Sequence, residues 1–153
     1  MATYVRPNSL FHALEVRAAG AEVLSGGTDF WPARVGKPAC GGADATILDL
    51  SALSDLRGIT REQSGTRIGA LTTWSDLAEA DLPLAFRALQ MAAREVGGRQ
   101  IQNRGTVGGN LCNASPAADS IPALIVHGAT CELVGPDGSR TIPVEAFCVA
   151  PGR

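Results

Sequence analysis

Apolar positions along this chain recur with two periods, and the switches between them predict its elements. Asn8 and Ser9 can cap a helix running to about Ala19, with Leu10, Ala13 and Leu14 on its inward face and Gly20 as its stop. His12 lies off that stripe and reads as a surface residue. Ala21 to Leu24 reads as a short strand running into Ser25-Gly26-Gly27-Thr28-Asp29. Phe30 to Val35 fits a helical turn with Pro32 tolerated in it. Gly36 to Ala43 is a Gly/Pro-rich connection, and Thr46 to Leu50 is a second strand.

Beyond that point the pattern changes. Leu56 to Thr60 and Thr66 to Ala70 read as strands joined across Glu62 to Gly65. Thr73 to Ala80 predicts a helix, with Thr73 and Asp76 spaced as a capping box. A longer helix is expected over Leu84 to Glu95, with Pro83 at its start, Leu84, Ala88, Leu89 and Ala92 at helical spacing, and Gly97-Gly98 as its end. Ile101 to Asn113 is a glycine-containing segment of low periodicity. Ser115-Pro116 opens a further helical stretch through Ile125. Thr130 to Val134 and Arg140 to Val144 predict a hairpin across Gly135-Pro136-Asp137-Gly138. The whole reads as an α+β protein of two lobes, a small α/β lobe over 1–55 and a larger α+β lobe over 56–153.

Composition narrows the function classes. A chain of 153 residues, 45% hydrophobic and 18% charged, has a globular make-up. Its net charge of −2 lacks the basic surplus of a nucleic-acid binder. Lys37 is the sole lysine, so a bound anion must rely on arginine, backbone N–H groups and helix N-termini. No two of Cys40, Cys112, Cys131 and Cys148 stand at C-x-x-C spacing, so reduced thiols in a cytoplasmic protein are expected and no metal site. The first residues lack a signal-peptide apolar core, and no stretch approaches the roughly 18 apolar residues of a membrane span.

Two segments stand out chemically: Leu24-Ser25-Gly26-Gly27-Thr28-Asp29 and Gly105-Thr106-Val107-Gly108-Gly109-Asn110. Each couples a glycine pair to small hydroxyl or amide residues. Glycine lets the main chain approach a ligand without a Cβ in the way, and consecutive N–H groups can converge on an anion. Thr28 and Thr106 can add hydroxyl donors. Either loop alone reads more readily as a tight turn; two facing each other would cradle a diphosphate. Neither is a Walker A or a G-x-G-x-x-G motif. No nucleophile–base set or carboxylate pair is evident, and His127, in an apolar stretch, reads as structural. No residue is assigned a catalytic role, so in an enzyme a cofactor would carry the reaction.

These residues resemble a family. The first loop, the segment Ile68-Gly69-Ala70-Leu71-Thr72-Thr73-Trp74-Ser75-Asp76-Leu77 and the run from Gln100 through Gly105-Thr106-Val107-Gly108-Gly109-Asn110 to Asp119 are similar to the flavoprotein subunits of molybdenum hydroxylases of the xanthine dehydrogenase and carbon monoxide dehydrogenase type. The resemblance implies the two-lobed FAD fold shared with vanillyl-alcohol oxidases, here truncated at the C-terminus, with the family's C-terminal domain absent. It implies noncovalent FAD, with Leu24, Ser25, Gly26, Gly27, Thr28 and Asp29 and Thr106, Val107, Gly108, Gly109 and Asn110 around the diphosphate. Asp119 would bind a polar part of the cofactor. It further implies a large partner subunit carrying molybdopterin and a small one carrying 2Fe–2S centres, with electrons passing to NAD or another acceptor. A non-enzymatic remnant, or another FAD oxidoreductase of the same fold, stays open. Arg104 stands where a related reductase branch carries proline.

Overall fold

A computed structural model describes residues 3–36 and 45–151 of the chain. Most of the expected Gly36 to Ala43 connection, and Cys40 with it, lies outside the described residues.

The first region is a three-stranded parallel sheet. Strands β1 (Thr3–Val5), β2 (Glu22–Leu24) and β3 (Thr46–Asp49) lie in the order β1-β3-β2. Tyr4 faces Ile47, and Val23 faces Leu48. Helix α1 (Leu10–Ala18) connects β1 to β2. The Ser9 hydroxyl caps it by accepting the His12 N–H at 3.3 Å, and Gly20 ends it at φ +94°. Ala13 packs with Ala21, Leu48, Leu53 and Leu71, and Val16 lies against them. Leu10, expected on the inward face, is exposed instead; the buried side of α1 runs through Ala13 and Val16. Sequence pattern also missed β1, a three-residue edge strand that exists through its pairing with β3. Parallel, in-register strands end together, so Arg6, Ser25 and Leu50 leave the sheet along one carboxyl edge, where open α/β sheets bind their ligands.

The second region is antiparallel strands and short helices. Hairpin β4 (Ile59–Glu62) and β5 (Gly65–Ile68) is followed by α2 (Trp74–Glu79), whose capping box forms as expected. A 3-10 turn over Leu84–Phe86 precedes α3 (Arg87–Glu95). That turn shifts the phase of the helix. Leu84 and Ala88 are therefore exposed, and Phe86, Leu89, Ala93 and Val96 face the core. Helices α4 (Arg99–Gln102) and α5 (Val107–Asn113) occupy the stretch expected to be irregular. Helix α6 (Ser120–Val126) begins five residues later than the sequence suggested. Hairpin β6 (Thr130–Gly135) and β7 (Gly138–Pro143) turns at Pro136-Asp137, and α7 (Val144–Phe147) follows. Trp74, Leu77, Leu89, Ala93, Val107 and Leu124 form this region's core. No helix of the described residues is long and apolar enough to cross a membrane.

Candidate functional site

The first glycine loop leaves the carboxyl edge of the sheet. Leu24 is buried at the end of β2, its side chain packed with Ile47, so it offers only main chain. Ser25 to Thr28 are half-buried and Asp29 is exposed. Gly27 takes φ +78°, and a Cβ there would stand 2.9 Å from the Trp31 indole. Two of the loop's O=C groups are used: Gly27 accepts from Trp31 N–H and Asp29 from Ala33 N–H. Its N–H groups are not. Among the described residues, the backbone N–H groups of Ser25, Gly26, Gly27, Thr28, Asp29 and Phe30 donate to no protein acceptor. A run of unspent donors around a left-handed glycine is the raw material of the backbone nests that hold anions.

The second segment has the opposite balance. Thr106 is the N-cap of α5. The N–H of Val107 donates to Thr72 O, that of Gly108 to Ala70 O, that of Gly109 to Thr106 Oγ1 and that of Asn110 to Thr106 O. Val107 puts its side chain into the core. Gly108 is glycine because Ala70 leaves no room: a Cβ would meet Ala70 Cβ and O at 2.8 Å. Asn110 Oδ1 accepts from Ser120 Oγ at 2.7 Å, which ties the start of α6 to α5. Asp119, the preceding residue, is exposed and makes no hydrogen bond or ion pair among the described residues.

The structure brings the two segments into direct contact. A Cβ on Gly26 would stand 2.0 Å from the Arg104 carbonyl oxygen and 3.0 Å from Gly105 Cα. Thr106 Oγ1 donates to Ser25 Oγ at 3.2 Å while accepting from Gly109. The buried Thr106 hydroxyl is thereby fully engaged, and the Ser25 hydroxyl keeps its own hydrogen to donate outward. Gly105 is held in turn, its carbonyl accepting the Trp74 N–H at 3.2 Å.

A polar pair supports this edge from below, and the sequence reading missed it. The Tyr4 hydroxyl donates to Asp49 Oδ2, the Ser51 N–H donates to Oδ1 at 2.9 Å, and Arg6 lies 3.7 Å away. Burial pushes the Asp49 carboxyl up, but the Tyr4 hydroxyl, Ser51 and Arg6 together hold it below its ordinary value. Tyr4 is pushed up, first by its bond to Asp49 and then by burial, against the positive charges of Arg6 and Arg104. A buried Asp ending a strand, read with an aromatic two residues before Arg6-Pro7, was the only available signal.

Two other features lie apart from the first loop. A cavity of about 690 Å³ opens between the β4–β5 and β6–β7 hairpins, floored by Leu89, Leu124 and Val144; Gly108 reaches its wall, while Gly26 and Gly27 do not. Cys112, Cys131 and Cys148 are free thiols, each pushed above its ordinary value by burial. Among the described residues no group of three or more His, Cys, Asp or Glu side chains is placed to hold a metal ion.

Residues 1–153 match the family model described as the FAD binding domain in molybdopterin dehydrogenase. The chain is 35% identical over 156 residues to a xanthine dehydrogenase FAD-binding subunit of Escherichia coli O157:H7, covering 99% of this chain and 52% of that protein. It is 32% identical to the carbon monoxide dehydrogenase medium chain of Hydrogenophaga pseudoflava, covering 94% and 50%. A solved carbon monoxide dehydrogenase from Hydrogenophaga pseudoflava superposes with a TM-score of 0.85 at 29% identity, over 99% of this chain and 53% of that one. The chain thus spans about half the length of these relatives.

Proposed function

Because the chain belongs to the family of FAD binding domains in molybdopterin dehydrogenases, we propose that it holds noncovalent FAD at the junction of its two glycine segments. The observation that carries this reading is the unspent donor run from Ser25 to Phe30, fixed against Gly105 and Thr106. Ser25, Gly26, Gly27, Thr28 and Asp29 grip the diphosphate through main-chain N–H groups and the Ser25 and Thr28 hydroxyls. Leu24 and Val107 contribute main chain only. Thr106, Gly108 and Gly109 brace the first loop, since their own polar groups are engaged. Asn110, through its amide N–H2, and Asp119 take polar groups elsewhere on the cofactor. The donors fit the group: they are neutral N–H and O–H groups, and they need no lysine.

When bound, FAD supplies a store for electron pairs. The chain then serves as the electron-transfer module of a molybdenum-containing hydroxylase or dehydrogenase in the cytoplasm. It stands between 2Fe–2S centres on a small partner subunit and NAD or another acceptor, with molybdopterin on a large partner subunit. The chain's own task is binding, orientation and electrostatics rather than acid–base chemistry. The small lobe over 1–55 and the larger lobe over 56–153 clasp the cofactor between them. Equilibrium dialysis against FAD tests the reading: one flavin retained per chain is expected, and a colourless protein at saturating FAD would sink it.

A further inference from the structure

All but one of the 13 basic side chains are arginine. Most are spent within the fold. Arg34, Arg57, Arg67 and Arg99 pair with carboxylates. Arg17, Arg61 and Arg94 hold backbone carbonyls. Among the described residues, Arg87, Arg104 and Arg140 donate to no protein acceptor. Arg87 opens α3 and Arg140 sits in β7; Arg104 alone belongs to the loop junction.

Arg104 is unusually well fixed for an exposed residue. Its carbonyl oxygen abuts Gly26, its N–H donates to Ile101 O at 3.1 Å, and the next residue is pinned by Ile101 and Trp74. Arg104 is exposed, and its positive charge, like that of Arg6, works against the rise of the Tyr4 hydroxyl at the sheet edge. Arg104 thus abuts, through its backbone, the loop whose N–H groups meet no acceptor among the described residues, in a chain whose net charge is −2. Guanidinium forks match phosphate oxygens two at a time, and a backbone already immobilised loses little entropy in doing so.

We infer that Arg104 is a ligand for the cofactor's diphosphate, supplying the charge that the neutral N–H groups of the first loop lack. This rests on the FAD reading above. It makes the second glycine segment contribute through a side chain just upstream of its glycines, while the N–H groups of those glycines stay inside the fold.

The test compares FAD, ADP and riboflavin by equilibrium dialysis on the wild-type protein and on Arg104→Gln, Arg104→Lys and Arg140→Gln. Arg104→Gln is expected to weaken FAD and ADP at least tenfold and to flatten the salt dependence of both. Riboflavin, which lacks phosphate, keeps its affinity. Arg104→Lys, which keeps the charge but not the fork, restores part of the loss, and Arg140→Gln binds as wild type. Equal FAD affinity in wild type and Arg104→Gln overturns the inference. So does a matching loss for riboflavin, which would make Arg104 a structural residue. A wild-type protein that takes up no FAD defeats the cofactor reading instead, and the ADP arm then decides alone whether Arg104 binds a diphosphate.

Discussion

After β2, six consecutive N–H groups find no acceptor among the described residues, whereas at the start of α5 every N–H from Val107 to Asn110 donates inside the fold. Both segments carry a glycine pair and a threonine. In the first, Gly27 supplies a left-handed turn within a run of donors that meet no acceptor among the described residues. In the second, Gly108 exists so that the helix can press against Ala70. Glycine pairs therefore mark close approach of backbone to something, and only the donor inventory tells whether that something is a ligand or the protein itself.

Gly26→Val attacks the contact common to both segments and has the largest expected effect. Its branched side chain would drive into backbone on the partner segment, costing more than about 3 kcal/mol of stability and abolishing FAD uptake. Urea unfolding and dialysis read the two losses. Gly108→Ala strikes only the bracing segment. It should cost about 2 kcal/mol of stability, with the folded fraction keeping most of its FAD affinity. A selective loss of affinity without loss of stability would reverse the roles assigned to the two loops.

Tyr4→Phe probes the support beneath the first loop. The Asp49 carboxyl is depressed in the folded state, so its contribution is present above its ordinary value and vanishes as pH falls through the depressed one. The substitution should cost about 1.5 kcal/mol at pH 7, and the gap between wild type and variant should start to close only as pH falls below about 4. Parallel pH–stability curves would contradict the Tyr4–Asp49 assignment. The smallest effect is expected for Ser25→Ala. It removes a hydroxyl with a free hydrogen, so FAD affinity should fall about fivefold, about 1 kcal/mol, at unchanged melting temperature. A lowered melting temperature with intact affinity would mean that Ser25 serves Thr106 alone.

Local signals carried much of this architecture. Ser9, Gly20, the Thr73–Asp76 box and the Pro136-Asp137 turn are short-range chemistry, and each stands where the chain pattern put it. What escaped is non-local. Strand β1 has three residues and no period of its own; β3 makes it a strand. Helix α5 hid behind glycines whose poor helix propensity is outweighed by the Thr106 cap and the contact with Ala70. The inward face of α3 was misphased because a 3-10 turn has three residues per turn rather than 3.6. At the site, sequence located both glycine segments and their residue types. It could not tell which N–H groups stay unspent, because that depends on carbonyls at Ala70 and Thr72.

The hydrogen bond from Thr106 to Ser25 spans 81 positions of chain. Loop closure over that distance is entropically costly and comes late in folding. During synthesis, β2 and its loop emerge long before the helix that must brace them. A ligand seated across that junction recognises the finished fold and nothing earlier. At a hundredfold excess over its Kd it therefore adds about 2.7 kcal/mol to the native state by mass action, so flavin supply would govern how much of this protein survives quality control.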